Sequence, residues 1–333
     1  MNDITLSIKD LAYHLPEQII YNDYFGEEEK RNKSKMFAGT NERRHFKEEE
    51  LASDHMEICA QQIIERNNLD PEQDIDMIVT NVSYPDEPFT GSGIVLAKKI
   101  GAKVPHVFDL HNTGCVAFIN MLDMVKAYMK SYGIKSALVC ASQTAGGRIF
   151  GKEDTRQLAQ SCVPGDGTAV AYVTNDSENK VSHITLNNNP ENGEDMTLYY
   201  EDDKKWWQGN RSSGSIEFPE SKTAAIFMRG NRLVPRAIKD VCKQAEMKTS
   251  EIDYLITNQP NPIFLRNWRE SIQLPKERHL DTFEKYANLF GAGIPITLGE
   301  HMEKGTFQKG DTICLAGFAH AGDFSSAAIV KWG

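Results

Sequence analysis

One of the six cysteines stands where a thiol can act as a nucleophile. Cys115 ends the segment Asn112-Thr113-Gly114-Cys115, which joins an apolar, strand-like run, His106–Leu110, to a helical stretch, Val116–Tyr132. A thiol at the start of a helix meets the positive end of the helix dipole and free main-chain N–H groups, which lower its pKa. The same N–H groups can stabilise an oxyanion. We therefore expect Cys115 to carry an acyl group as a thioester.

The other cysteines predict no metal site and no disulfide framework. They form no CxxC pair, and no Cys/His cluster has the spacing of a zinc site. Free cysteines are usually small buried residues, so we expect these thiols in the core. They are Cys59, Cys140, Cys162, Cys242 and Cys314.

An internal repeat indicates the elements that position Cys115. Ile75–Asn81 (IDMIVTN) matches Ile252–Asn258 (IDYLITN) at an offset of 177 positions. The same offset aligns, without gaps, the helical stretches that begin at Ser53 and Gly230, His111–Phe118 with Asn288–Pro295, and Ser136–Gly147 with Ile313–Phe324. One offset for four segments indicates two copies of a strand–helix unit related by a pseudo-twofold axis.

Short apolar strands that alternate with amphipathic helices predict an α/β fold with a mostly parallel sheet in each half. The predicted halves are residues 1–175, which carry Cys115, and residues 176–333. Ligands bind beyond the carboxyl ends of strands in such sheets, so loops of the second half should face Cys115. The polar stretch Asn187–Gly214 is predicted to be loop-like, and its Trp206-Trp207 pair is either a surface feature or a lid or partner contact.

The bulk composition is that of a globular protein and excludes some functions. Hydrophobic residues make up 40% of the chain, charged residues 25%, and the formal net charge is −10. A nucleic-acid partner is not expected, since a basic surface would accompany it. No apolar run reaches the length of a membrane span, and Met1–Tyr13 has no signal-peptide pattern. We expect a cytoplasmic protein.

The order of four motifs resembles that of ketoacyl-acyl-carrier-protein synthase III, a member of the thiolase superfamily. The resemblance covers nearly the whole chain. The motifs are the nucleophile loop Asn112–Cys115, the turn Pro164-Gly165-Asp166-Gly167, the segment Asn258-Gln259-Pro260-Asn261, and Tyr286-Ala287-Asn288 followed by Ile294-Pro295.

The resemblance implies a five-layered α/β/α/β/α sandwich of two βαβαβαβ halves, normally as a homodimer. It also implies a ping-pong acyltransferase reaction on Cys115. An acyl group moves to the cysteine, and a decarboxylated malonyl thioester then attacks it. No cofactor is implied, because acyl-phosphopantetheine or acyl-coenzyme A is the substrate. Asn258 and Asn288 stand at the positions whose side chains bind the thioester oxygen.

The sequence departs from the family at Asn258, where the family has a catalytic histidine. Asparagine still offers an N–H donor, but it cannot act as a general base near neutral pH. We therefore name His320, in the loop Gly317–Asp323, as the first candidate for proton transfer, and His111 as the second. A histidine that merely satisfies its own loop is the alternative for both.

Further departures concern the acyl donor. The family's adenine-binding positions read Lys33 and Phe37 here. Phe37 can supply aromatic stacking on the adenine, and a carrier-protein donor is the alternative to acyl-coenzyme A. Arg266 and Arg269, spaced i and i+3, can form one basic docking face, or simply a solvated one. Phe89 aligns with the residue that closes the acyl pocket across the family's dimer.

Two hypotheses follow. The first is an acyltransferase that transfers the acyl group to a malonyl-type thioester or to another acceptor, in specialised fatty-acid or polyketide metabolism. The second is a catalytically degenerate subunit that supports a related ketosynthase in a heterodimer. The retained Cys115 favours the first.

Overall fold

The computed structural model describes residues 4–26, 40–176, 178–200, 204–205, 207–209, 214–217 and 220–333. Its centre is a ten-stranded sheet, and two short two-stranded sheets lie outside it. The strands are β1 (Ser7–His14), β2 (Ile19–Tyr21), β3 (Glu42–Arg44), β4 (Met77–Val82), β5 (His106–Asp109), β6 (Ser136–Gln143), β7 (Gly167–Thr174), β8 (Lys180–Asn188), β9 (Thr197–Tyr200), β10 (Gly214–Glu217), β11 (Tyr254–Thr257), β12 (His279–Leu280), β13 (Thr312–Ala319) and β14 (Phe324–Lys331).

The large sheet consists of two five-stranded arrays with the same internal order. One array runs β1-β7-β6-β4-β5 and the other β8-β14-β13-β11-β12, and the two meet where Ser7 of β1 pairs with Lys180 of β8. In each array the three outer strands are parallel, and β7 or β14 joins them antiparallel. The repeat seen in the sequence is therefore a repeat of structure.

Helices cover both arrays and fill the space between them. The helices α3 and α7 lie between the arrays, where their residues share one core with strands of both halves. The helices α1 and α2 pack on the outer face of the first array, and α4 and α5 on that of the second. The bounds are α1 (Ala52–Asn67), α2 (Gly93–Ile100), α3 (Ala117–Tyr132), α4 (Glu220–Gln244), α5 (Pro262–Ser271), α6 (Phe283–Tyr286) and α7 (Gly293–Glu303).

The layers follow from the patterning of the chain. Every residue of β4, β6 and β13 is buried, as expected for strands covered by helices on both faces. This arrangement is the predicted five-layered α/β/α/β/α sandwich. Among the described residues, no helix has both the length and the apolarity to cross a membrane.

The sequence predicted that the stretch Asn187–Gly214 is loop-like, but part of it forms a strand. Thr197–Tyr200 pairs with Gly214–Glu217 in an antiparallel hairpin, β9–β10. Three of the four side chains of β9 are exposed, so this strand lacks the apolar alternation that marks a half-buried strand. Trp207 is 67% exposed, and Trp206 lies outside the described residues.

Candidate active site

Cys115, the predicted nucleophile, stands in a tight turn between β5 and α3. Gly114–Val116 forms one 3-10 turn that leads directly into α3, so Cys115 occupies the predicted strand-to-helix junction. The side chain of Asn81 holds the preceding segment by donating to the Leu110 carbonyl at 2.6 Å. The matching turn of the second half, Phe290–Ala292, packs against it, and a Cβ on Gly291 would lie 2.8 Å from the Gly114 oxygen. Pseudo-symmetry thus places the two turns back to back.

The predicted lowering of the Cys115 pKa is wrong for this resting site. Burial raises the pKa of the thiol to about 12, although part of the residue remains open to the cavity. The Asn258 side chain and the main-chain N–H groups of His320 and Cys115 donate toward the sulfur and oppose the rise, while the charge of Asp323 adds to it. Desolvation outweighs the donors, so the thiol is protonated at neutral pH and needs a base before it attacks.

Asn258 is held rigidly at the end of β11. It is 1% exposed; its Nδ2 donates to the Phe318 carbonyl at 3.0 Å and its Oδ1 accepts from the Phe318 N–H at 3.2 Å. The last main-chain pair of the two strands is Thr257 with Ala316, so the carboxamide extends this ladder beyond the strand end. The remaining N–H of Asn258 is the donor directed at Cys115.

Asn288 reaches the same cavity from the loop after α6. Its main chain pairs with the turn that precedes β7, because its N–H donates to Val163 and its carbonyl accepts from Gly165, both at 3.0 Å. Its Oδ1 accepts from the Phe290 N–H at 3.1 Å. With the oxygen occupied, the amide nitrogen is the part of this side chain that can donate to a bound oxygen.

His320 lies in the loop that joins β13 to β14, and it has a partner that the sequence analysis missed. Its Nδ1 lies 2.8 Å from Oδ2 of Asp323, and the backbone of His320 is left-handed, with φ of 48°. The other ring nitrogen stands over the nucleophile turn, since a Cβ on Gly114 would lie 2.7 Å from Nε2. Asp323 follows His320 by three positions, but only the closed loop brings the two side chains together.

These side chains line a cavity of about 210 Å³ with a largely apolar wall. His111, the second histidine candidate, is exposed at the same cavity. The hairpin β9–β10 and the residues just before it add wall residues that no motif had indicated. Apolar members of the wall include Ile149, Phe150, Met196, Ile216, Phe290 and Phe318. The apolar wall suits an acyl chain bound next to the thiol.

Asp166 anchors one side of that wall. Its carboxylate accepts from the N–H groups of Phe46, Gly146 and Gly147 at 2.7–2.9 Å, and so fixes the helical turn Gly146–Phe150. Complete burial raises the pKa of Asp166 to about 7, against the opposing effect of the three donors. The Pro164–Gly167 motif therefore shapes one side of the pocket.

The structure does not bring the predicted donor-binding residues to the cavity wall. Arg266 is exposed on α5 and pairs loosely with Glu270 at 3.9 Å, and Arg269 is half-buried on the same helix. Phe89 is 94% exposed. Phe37 lies outside the described residues. Among the described residues, no cluster of His, Cys, Asp or Glu is arranged to hold a metal ion.

A buried cysteine on a strand-to-helix turn, faced by amide donors from a pseudo-symmetric second half, defines a thiolase-fold acyltransferase. The family described as "FAE1/Type III polyketide synthase-like protein" matches residues 3–189, more than half of the chain, and "3-Oxoacyl-[acyl-carrier-protein (ACP)] synthase III C terminal" matches residues 242–332. The chain belongs to this family of ketoacyl synthase III-like enzymes.

Individual relatives are similar to this chain over nearly their full length. The chain is 26% identical to the beta-ketoacyl-[acyl-carrier-protein] synthase III of Helicobacter pylori strain G27, with 97% of each chain covered. It is 27% identical to that of Prochlorococcus marinus, with 100% and 98% covered.

Solved structures of low identity share the fold. The 3-oxoacyl-[acyl-carrier-protein] synthase III of Aquifex aeolicus has a TM-score of 0.82 at 22% identity, with 98% of this chain and 100% of that chain covered. OleA of Xanthomonas campestris has a TM-score of 0.81 at 19% identity, with 99% of each chain covered.

Proposed function

We propose that the protein forms an acyl thioester on Cys115 and transfers the acyl group to a malonyl-type thioester with loss of carbon dioxide, or to another acceptor. The observation that carries this proposal is the position of the Cys115 thiol. It opens into an apolar cavity where amide donors from Asn258 and Asn288 converge. We assign the reaction to specialised fatty-acid or polyketide metabolism, because the histidine of the family is replaced at position 258.

We assign different hydrogen-bond donors to the two half-reactions. In acylation, the main-chain N–H groups of Cys115 and His320 lie next to the sulfur, where the oxyanion of a tetrahedral intermediate would form. In condensation, the amides of Asn258 and Asn288 would bind the thioester oxygen of the malonyl group and stabilise the enolate left by decarboxylation. His320 is the base that we assign to proton transfer.

The acyl donor that we propose is a phosphopantetheine or coenzyme A thioester. The relatives' names include an acyl carrier protein, and Arg266 is exposed on α5, the helix that follows the Asn258 loop. Because carrier proteins are acidic, an exposed arginine can contribute to docking. Replacing Arg266 by glutamate should then weaken acylation by a carrier-bound donor and leave acylation by the coenzyme A thioester unchanged.

We further propose a homodimer formed along β5, in the cytoplasm. The strand β5 is an edge of the large sheet, and unpaired strand edges invite pairing with another chain. An aromatic cluster of His106, Phe108, Tyr128 and Tyr132 lies beside this edge, and Tyr132 is 65% exposed. With Phe89 exposed as well, this face has the apolar character of an interface.

Intact-mass measurement after incubation with acyl-coenzyme A and acyl-carrier thioesters tests the central proposal. The expected result is an acyl adduct on the wild type that is absent in Cys115→Ala and present in Cys242→Ala, a matched control distant from the cavity. A chain that takes no acyl group from either class of donor contradicts the proposal and favours the degenerate partner subunit, for which the high pKa of Cys115 is the supporting observation. For chains that do acylate, carbon dioxide release from malonyl-coenzyme A separates condensation from plain transfer.

A further inference from the structure

The site described above contains a protonated nucleophile and no base at position 258. Burial raises the pKa of Cys115 to about 12, so the thiol must lose its proton as it attacks. Asn258 cannot accept that proton, and both ends of its carboxamide are already bonded to Phe318. A general base must therefore come from a neighbouring element.

The neighbouring strand supplies one. β11 and β13 are adjacent and parallel, so the residues that follow them emerge at the same edge of the sheet. Asn258 follows β11 and His320 follows β13, and both line the cavity with Cys115. A proton-transfer group can thus lie one strand away from its usual place and still reach the same thiol.

We propose that His320 and Asp323 form an acid–base pair that replaces the missing histidine during acylation of Cys115. Asp323 is the positioning residue: its Oδ2 holds Nδ1 of His320 at 2.8 Å, while its Oδ1 accepts from the Phe324 N–H at 3.0 Å. A carboxylate on Nδ1 keeps the proton on that nitrogen and leaves Nε2 free to accept another. This inference rests on the proposed function and specifies how its first half-reaction proceeds.

The loop that carries the pair is held by hydrogen bonds from α4 and from the segment before β9. Arg229 on α4 donates to the Ala321 carbonyl at 2.6 Å and to Asp195 at 3.0 Å, and Asn189 and Asn192 each donate to the Gly322 carbonyl at 3.1 Å. These bonds hold the loop around His320, whose backbone has the left-handed conformation that is uncommon for residues other than glycine.

The nucleophile turn makes room for the ring. Nε2 of His320 would lie 2.7 Å from a Cβ at position 114, so only glycine allows the ring this close to the residue before Cys115. The other titratable or charged groups described around the imidazole are Cys115 and His111 on the nucleophile loop, and Arg229 with Asp195 behind the hairpin.

The transfer balances without any additional reactant. As the Cys115 sulfur attacks the carbonyl carbon of the donor thioester, its proton moves to Nε2 and a carbon–sulfur bond forms. The tetrahedral intermediate then collapses, the bond between the carbonyl carbon and the donor sulfur breaks, and the leaving thiolate takes the proton from Nε2. His320 ends neutral and Asp323 remains a carboxylate throughout.

Alkylation of Cys115 by iodoacetamide tests the pair without knowledge of the natural donor. The rate is followed by mass spectrometry of the peptide that contains Cys115, in wild type, His320→Ala, Asp323→Asn and Asp323→Glu. Near pH 7 we expect a loss of roughly 10- to 100-fold in His320→Ala and Asp323→Asn, since a positioned base contributes about that much or more. Added imidazole should restore His320→Ala, and Asp323→Glu should recover part of the rate.

Matched controls and an acylation assay complete the test. His183→Ala and Asp240→Asn, on β8 and on the surface of α4, should behave as wild type; if His320→Ala does not fold, His320→Gln replaces it. Equal alkylation rates in wild type, His320→Ala and Asp323→Asn would overturn the pair. So would a loss in Asp323→Asn alone that Asp323→Glu does not recover, because that result assigns Asp323 to structure only.

Acylation by hexanoyl-coenzyme A or a hexanoyl carrier protein then separates the two proposals. An adduct that forms equally fast without His320 supports acyl transfer to Cys115 and overturns the pair. The reverse pattern, histidine-dependent alkylation with no adduct from either donor, supports the pair and contradicts the proposed function.

Discussion

Replacing Asn258 by aspartate exchanges one donor group for an acceptor at the centre of the site without a change in size. In the native protein Nδ2 donates to the Phe318 carbonyl, Oδ1 accepts from the Phe318 N–H, and the remaining N–H faces Cys115. The variant keeps the bond to the Phe318 N–H. It places a carboxyl oxygen against the Phe318 carbonyl, and it turns an acceptor toward the sulfur.

The loss in the free energy of unfolding follows from the burial of the Asn258 side chain. A buried carbonyl left without a donor costs about 1–3 kcal/mol of the free energy of unfolding. The side chain is 1% exposed, so burial should raise the pKa of the new carboxyl above its unfolded value of about 3.9. The folded variant then holds the carboxyl proton more tightly than the unfolded chain does, so the contribution of this carboxyl to stability is greatest below about pH 4 and declines as pH rises through the raised folded-state pKa.

Urea unfolding of Asn258→Asp at about pH 5 and pH 8 measures this effect, with the exposed Asn188→Asp as control. At the higher pH we expect a loss of at least about 1–3 kcal/mol, because the carboxylate leaves the Phe318 carbonyl without a donor. At the lower pH the loss should be smaller, because a protonated carboxyl can donate to that carbonyl. Acylation should slow by at least about tenfold, because a nearby carboxylate disfavours the thiolate. A variant as stable as wild type at both pH values, with normal acylation, would refute the assigned role of the Asn258 carboxamide.

Three further predictions concern residues that support the site and the proposed dimer interface. Gly291→Ala should cost about 1–3 kcal/mol in urea unfolding and slow acylation, because its Cβ would lie 2.8 Å from Asn81 Oδ1, whereas Gly293→Ala, with its nearest atom at 3.8 Å, should be tolerated; equal effects would contradict the packing of the two turns. Because the folded pKa of Asp166 is about 7, its contribution to stability should be greatest below about pH 4 and decline toward pH 7. Asp166→Asn should remove that slope from urea unfolding, and an unchanged slope would assign it to another group. Phe89→Asp should produce monomers in analytical ultracentrifugation if the exposed ring lies in the proposed dimer interface, and a dimer of unchanged affinity would exclude the ring from it.

The sequence was sufficient for the fold and for the position of Cys115 at a strand-to-helix turn. Ile75–Asn81 and Ile252–Asn258 share an offset because β4 and β11 occupy equivalent places in their arrays. The Cys115 turn was predictable as well, since an apolar strand, a glycine and a helical period follow each other directly. Local patterns of this kind predict the structure well because they depend on residues that are neighbours in the chain.

The chemistry of the site was less predictable, because it depends on contacts between distant segments. The high pKa of Cys115 results from burial between both halves, which a helix-terminus argument cannot include. The role of Asp323 depends on the closure of a four-residue loop, and Met196 and Ile216 reach the cavity wall from a segment that neither family match covers.

The β13–β14 hairpin carries residues for two different roles in one short segment. Phe318, just before the tip, fixes the orientation of an amide from another strand, and the tip carries the imidazole and the carboxylate. A change in the length of the tip would therefore disturb oxyanion binding and proton transfer together, whereas substitutions within the tip alter proton transfer alone. Exchange of this short connection between related enzymes is thus a means to change proton transfer while the thiol and the sheet remain unchanged.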